Sequence, residues 1–210
     1  HGLTIDYGPY GWLENYDPNW TPNTTDSSTR RYRYGQQAQI GAWNIARLAE
    51  AVAPLMDDVQ SLYSVLEHYE NKYIEYQNAM WGQKLGIDDF AEADEALVIE
   101  LDGLLQKVET DMTIFFRILS TIETPEIGLL ESSFYDKNTI PTDEWNAWLE
   151  KWWKRVNNKP NREAMRKANP KYVLRNWMAQ LAIDAAENED YTVCEELFTC
   201  LLYTSDAADD

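Results

Sequence analysis

Asp6 is the residue whose neighbours best suit it to chemistry. The apolar run Leu3-Thr4-Ile5 delivers one carboxylate and breaks at once into Tyr7-Gly8-Pro9. A short buried strand that ends this way presents an acid at its tip, with Gly8 permitting the turn and Pro9 setting its direction. A carboxylate there is a hard oxygen donor for a divalent cation such as Mg2+. That ion takes one or two protein oxygens and fills its octahedron from phosphates and water. Taken by itself, the same Asp is better explained as a turn cap.

The other chemistry-bearing residues have simpler explanations. Arg30, Arg31 and Arg33 are cations of the phosphate-contacting type, but in so acidic a chain pairing with nearby carboxylates is the expectation, and exposed pairs of that kind add little stability. His68 falls among surface positions of a helix, with no metal-ligating neighbour. Glu92, Asp94, Glu95 and Glu100 read as a solvated face. Trp145, Trp148, Trp152 and Trp153 could build a carbohydrate or peptide platform, yet their spacing is helical and core packing is the better reading. Cys194 and Cys200 follow neither a metal-site spacing nor a disulfide framework.

The elements that must position these residues are mostly helices. From Asp6 to about Tyr34 the chain is rich in Tyr, Trp, Asn, Pro, Thr and Asp without a sustained period, which predicts a long ordered loop. Ile40, Trp43, Asn44, Arg47 and Leu48 open a helix that runs to about Pro54. Leu62, Val65, Leu66, Tyr69, Tyr73 and Tyr76 recur at helical spacing, and Leu85-Gly86 supplies a glycine stop. Asp88 or Asp89 is the expected cap of the next helix, whose stripe is Leu97, Leu101, Leu104, Leu105 and Val108. A further helix is predicted over Met112–Ile122, and a loop with a short turn over 123–141. Trp145, Trp148, Leu149, Trp152 and Val156 mark another helix. Asn169-Pro170 reads as the start of the next, with Leu174, Trp177, Met178, Leu181, Ala182 and Ala185 as its core stripe. Asp190–Phe198 is read as a final short helix.

Bulk properties narrow the function classes. A formal charge of −18 over 210 residues argues against nucleic acid, whose binding needs clustered Lys and Arg, and against an anionic membrane. Nucleotide binding survives that charge if a cation mediates it. No apolar run approaches the ~18 residues that span a bilayer, and no stretch reads as a signal peptide. Nine Trp and thirteen Tyr imply a heavily aromatic core or groove. A reducing compartment is the default: cytoplasm if the source is bacterial, mitochondrion if eukaryotic. Residues 200–210, Cys-Leu-Leu-Tyr-Thr-Ser-Asp-Ala-Ala-Asp-Asp, resemble a translated sequencing adapter and are set aside from the fold.

Three segments together resemble the selenoprotein O family of kinase-like protein adenylyltransferases. They are Gly2–Gly11 with Tyr16-Asp17-Pro18; Arg31-Tyr32 through Gln36-Gln37, Ile40-Gly41 and Trp43-Asn44; and Asn169 through Asn176 with Ala179-Gln180 and Ala182–Ala186. The Asp-Tyr-Gly at Asp6 is also similar to the Asp-Phe-Gly of protein kinases, whose Asp holds magnesium against ATP phosphates. The resemblance implies a mainly α chain: the C-terminal helical lobe of a protein-kinase-like fold with a short β segment at the N-terminus. It divides the chain into a metal-site strand end and aromatic loop (1–35), a helical lobe (36–199) and the adapter-like tail (200–210).

The activity so implied is transfer of AMP from ATP, bound in inverted orientation, to Ser, Thr or Tyr hydroxyls of proteins, with Mg2+ as cofactor. The expected partners are ATP and protein substrates, with no nucleic acid and no membrane, and the favoured state is a monomer. Only Asp6 matches a family site position, as the Mg2+ and ATP ligand. The family's general-base Asp, its second metal-ligating Asn, its ion-paired Lys and Glu and its nucleotide-contacting arginines belong upstream of residue 1, so the chain by itself is expected to be inactive. His1 stands where a hydrophobic residue is expected, and Ala38 where the family tends to have Pro. The alternatives are a non-catalytic helical module whose aromatic loop recognises a partner protein, and a true kinase transferring the γ-phosphoryl group. AMP transfer is separated from phosphate transfer by the resemblance alone.

Overall fold

A computed structural model of the chain describes residues 11–21 and 28–206, the last four by backbone only. All regular structure among the described residues is helical, apart from one isolated antiparallel bridge between Thr110 and Phe134. The mainly helical lobe is therefore present; the N-terminal strand expected before Asp6 lies outside the described residues. The chain divides into two compact units, one His1–Gly11 with Asp17–Asn78, the other Trp12–Tyr16 with Ala79–Asp210.

In the first unit the 3-10 turn Tyr34–Gln36 leads into α1 (Gln37–Val52), followed by a 3-10 turn Ala53–Leu55 and by α2 (Gln60–Leu85), whose last turns belong to the second unit. The approach to α1 is tied by backbone bonds from Tyr34 N to Trp20 O (2.9 Å) and from Gly35 N to Pro18 O (2.8 Å). Tyr69 of α2 donates its hydroxyl to Ala38 O (3.3 Å). A Cβ at Gly41 would collide with that hydroxyl, so a larger residue there forces the Tyr69 side chain to shift. Of the expected α2 stripe, Leu62, Leu66 and Tyr69 are half-buried, whereas Val65, Tyr73 and Tyr76 stay exposed.

The second unit contains α3 (Glu95–Lys107), α4 (Met112–Leu119), 3-10 turns at Ile127–Ser133 and Lys137–Thr139, α5 (Thr142–Arg155), α6 (Arg162–Ala168), α7 (Asn176–Ala186) and α8 (Thr192–Asp206). The core forms where α3 meets α5. Leu97, Leu101, Leu104, Leu105 and Val108 on one side and Trp145, Trp148, Leu149, Trp152 and Val156 on the other are all buried. The tryptophans are thus core, as their spacing predicts. Trp148 Nε1 donates to Leu97 O (2.9 Å) and Trp152 Nε1 to Leu85 O (2.8 Å), so two of these indoles close backbone carbonyls as well as filling volume. Gly86, at φ +67°, ends α2 in the left-handed conformation open to glycine.

Several expectations are corrected. Asn169-Pro170 does not start a helix: α6 stops at Ala168 and α7 begins at Asn176. The Asn169 side chain is spent elsewhere, accepting from Lys84 Nζ (2.8 Å) and donating to Lys84 O (3.1 Å). The expected α7 stripe is mostly wet. Ala182 is buried, but Trp177 and Leu181 are 58% and 53% exposed, because α7 packs against α8 and away from the aromatic core. Neither Asp88 nor Asp89 caps α3. Asp88 accepts from Asn161 Nδ2 (2.5 Å) and Asp89 from Arg155 Nη2 (3.0 Å). The helix expected over Met112–Ile122 ends at Leu119, and α8 runs past Phe198 to Asp206. The seven-residue α6, too short to show a period, has no counterpart in the sequence reading. Among the described residues no helix is long and apolar enough to cross a membrane.

Candidate functional site

Asp6, the one site residue singled out in the sequence, lies outside the described residues. The segment that follows it along the chain is visible from Gly11, and its anchoring is specific. The Asn176 side chain bonds the backbone of Trp12 in both directions: Trp12 N donates to Asn176 Oδ1 (3.1 Å) and Asn176 Nδ2 to Trp12 O (2.9 Å). Two residues on, Glu14 Oε1 accepts from Asn176 N (2.8 Å). That amide belongs to the first turn of α7 and has no partner within the helix, so the Glu14 carboxylate satisfies it and complements the positive end of the helix dipole. Tyr16 N then donates to Thr110 O (2.7 Å), and the Tyr16 hydroxyl meets the Asp102 carboxylate.

An ion pair stands beside this clamp. Arg175 Nη1 lies 2.7 Å from Asp111 Oδ2, with both side chains largely buried. Asp111 also caps α4, accepting from Ile114 N (3.0 Å), and its own N–H donates to Ser133 O (2.8 Å). Burial opposes the charge on Arg175, but the bond and charge of Asp111, helped by Tyr135 and Glu14, outweigh it and hold the guanidinium pKa above its usual value. Burial together with the Asp111 charge pushes the Tyr135 hydroxyl upward. Both groups therefore keep their neutral-pH protonation states, and the cluster acts as a fixed brace.

The remaining sequence candidates fall as follows. Arg30 and Arg33 bond backbone carbonyls, Arg30 Nη1 to Asn19 O (3.4 Å) and Arg33 Nη1 to Arg30 O (3.2 Å), in place of the expected carboxylates. Arg31 stacks over the Trp43 ring at 3.9 Å. His68 is an exposed helical residue. Glu92, Glu95 and Glu100 are exposed as expected, but Asp94 is buried and takes a forked bond from Arg155, Nε to Oδ1 at 2.6 Å and Nη2 to Oδ2 at 3.0 Å. Arg175 and Asn176 brace the start of α7, Asn176 from the surface. Their partners Glu14 and Asp111 escaped the sequence reading. Asp111 just before the apolar Met112-Thr113-Ile114-Phe115 carries a capping signal; Glu14 carries none. Among the described residues no group of three or more His, Cys, Asp or Glu side chains converges as a metal site.

Comparison with known proteins fits this helical lobe. The family model described as "Protein adenylyltransferase SelO" matches residues 1–201. The chain is 45% identical to a "Protein nucleotidyltransferase YdiU" of Flavobacterium johnsoniae, over 96% of this chain and 41% of that protein. It is 42% identical to the protein of that name from Aromatoleum aromaticum, over 98% of this chain and 41% of the relative, and 43% identical to that of Azoarcus sp. strain BH72, over 90% and 38%. The chain belongs to the SelO family. It spans about two fifths of the length of the curated relatives it matches.

Proposed function

We propose that this chain is the C-terminal helical portion of a protein adenylyltransferase, which moves AMP from ATP to Ser, Thr or Tyr hydroxyls of proteins within a kinase-like fold. The observation that carries the reading is the family match over residues 1–201. In it, residues 1–35 form the metal-site end and aromatic loop, residues 36–199 the helical lobe, and residues 200–210 a translated adapter. Localisation follows the source, cytoplasm for a bacterium and mitochondrion for a eukaryote, and the working state is a monomer.

Asp6 supplies one carboxylate oxygen to Mg2+. One Asp alone holds Mg2+ poorly, since the ion takes one or two protein oxygens along with phosphates and water, so the family's second ligand, an Asn, would be needed beside it. Mg2+, when bound, neutralises the charge of the triphosphate. The contribution of the described residues is positional. Asn176 and Glu14 fix the chain six to eight residues beyond Asp6, and the Asp111–Arg175 pair holds the start of α7 that carries Asn176. In phosphoryl and nucleotidyl transfer, positioning and charge stabilisation supply most of the rate.

The test is to incubate the full-length gene product with ATP and protein acceptors and to weigh the acceptors. A gain of one AMP, lost in Asp6→Ala, is the expected result. A gain of phosphate would establish a kinase, and no gain with any acceptor would return the chain to the non-catalytic module. The 210-residue chain alone, lacking the family's general base, is expected to transfer nothing at the rate of the full-length protein.

A further inference from the structure

The charge of this chain is sharply segregated. Residues 151–175 hold nine of the 18 Lys and Arg side chains and a single acid, Glu163, although the whole sequence carries 36 acids. Several of these cations are spent on structure: Lys151 on Glu100, Arg155 on Asp94, Arg175 on Asp111. Arg166 and Lys171 are exposed; Arg166 adds its charge to the bond and charge of Lys167 in holding the Glu163 carboxylate below its usual pKa, and Lys171 lies 5.2 Å from the Tyr172 ring centre. Arg117 joins them from α4, its Nη1 donating to Arg166 O and Asn169 O at 3.3 Å each.

An apolar cavity of about 350 Å³ opens beside these cations. Ile114, Ile118 and Met178 contribute to its lining, with Arg117 and Lys171 at the same site. Ile114 and Tyr172 of this lining are exposed. One wall is the connection from α6 to α7; the Arg175 carbonyl there accepts from Ala179 N (3.0 Å), but the N–H groups of that wall are unused among the described residues. The N–H groups of Lys171, Tyr172, Val173, Leu174 and Arg175 find no acceptor among the described residues, and Arg175 has an extended backbone (φ −119°, ψ 152°). Free amides next to extended backbone, as at Asn169 (φ −108°, ψ 107°) and Arg175, are what an extended peptide pairs with.

We propose that the 171–175 connection, with the adjoining cavity and the cations Arg117, Arg166 and Lys171, is a docking surface for an extended acidic segment of a partner protein. The backbone supplies sequence-independent hydrogen bonds, the cavity takes an apolar side chain, and the cations take carboxylates. Charge complementarity selects this occupant: the rest of the chain carries nearly all of the acids and on balance disfavours such a segment. The surface stands independently of the transfer chemistry; under the adenylyltransferase reading the docked segment belongs to the acceptor protein.

The test measures binding of a labelled peptide of about twelve residues alternating Glu with Val and Leu, by fluorescence anisotropy on the full-length gene product without ATP. Saturable binding that weakens as salt is raised is expected. Arg166→Glu with Lys171→Glu should weaken it about tenfold or more, and Ile114→Asp should do so by closing the cavity to apolar groups. A thermal melt of each variant checks that the fold persists. Equal binding of the peptide with Lys in place of Glu would overturn the proposal, as would binding unchanged in both variants or no saturable binding at all. A single-stranded oligonucleotide that binds better than the peptide, with the same dependence on Arg166 and Lys171, would replace it with a nucleic-acid surface. A doubled mass in sedimentation that the double variant abolishes would replace it with a second copy of the chain. Peptide binding that behaves as expected in a protein that adenylylates nothing would leave the surface standing and remove the transferase reading.

Discussion

Asn176 and Trp12, 164 residues apart in the chain, hold each other by two hydrogen bonds that use the whole side-chain amide of one and both backbone polar groups of the other. This is the local geometry of a strand pair made with a side chain, and it leaves the Asn176 backbone N–H free for Glu14.

Asn176→Ala removes both bonds to Trp12 and retains the one to Glu14. Each lost bond is solvent-exposed, so the global cost should be about 1 kcal/mol, with the larger effect local. Amide exchange at Trp12 should speed up markedly while exchange in α3 and α5 is unchanged. Equal acceleration throughout the lobe would mean that the clamp supports the whole fold.

Trp145, Trp148 and Trp152 are buried alike, but Trp145 Nε1 has no hydrogen-bond partner among the described residues while the other two indoles close the carbonyls of Leu97 and Leu85. Replacement by Phe therefore separates volume from hydrogen bonding. Trp145→Phe discards an unsatisfied donor, whereas Trp152→Phe strands the Leu85 carbonyl. Urea unfolding should rank Trp145→Phe as the milder change by about 1 kcal/mol; the reverse order would contradict this account.

Burial lowers the pKa of Lys84 to about 8, below its ordinary 10.5. Its ammonium is held by Asn169 Oδ1 and lies 4.1 Å from the Phe116 ring centre, with no carboxylate paired to it among the described residues. Between pH 8 and 10.5 the unfolded chain binds more protons here than the folded one, so the Lys84 contribution to stability rises with pH across that window. Below it both states are charged and the burial cost is fully present. Denaturant midpoints measured across the window should climb more steeply, or fall less, in the wild type than in Lys84→Met. Parallel curves would refute the assignment.

Gly86 combines a left-handed backbone with crowding: a Cβ there would sit 2.8 Å from Met165 Sδ, 2.9 Å from Asn161 N and 3.0 Å from Pro160 Cβ. Its carbonyl also accepts from Asn161 N (3.0 Å). Gly86→Ala should cost about 2 kcal/mol or more, the sum of backbone strain and steric shift. Calorimetry checks this against Gly103→Ala, where an added Cβ meets nothing within 4 Å and a helical position gains.

The parts of this molecule legible in the sequence are those where one helix face meets the core. The stripe Leu97 to Val108 and the tryptophans of α5 are recovered residue by residue because burial and period coincide there. On α7 they part: Leu181 and Trp177 keep the period but face outward, since no element packs over them in the described structure. Asn169-Pro170 misled for a different reason. The cap chemistry of Asn is a competition, and Lys84, 85 residues away, wins the amide. Comparably remote partners hide Asp94, paired with Arg155 61 residues on, and Asp111, paired with Arg175. A local signal states what a side chain is able to bond. Which partner arrives is a property of the fold.

The bond from Asn176 to Glu14, 162 residues apart, bears on how the molecule is made. A ribosome releases Glu14 long before α7 exists, so the segment from Trp12 to Tyr16 must wait, unattached to α7, while the lobe grows behind it. Ring closure over so long a span carries an entropy cost that only the finished lobe can offset. The earliest of these residues to be synthesised is thus among the last to be fixed, and the Trp12–Glu14 stretch is tied to α7 only after that helix has been built.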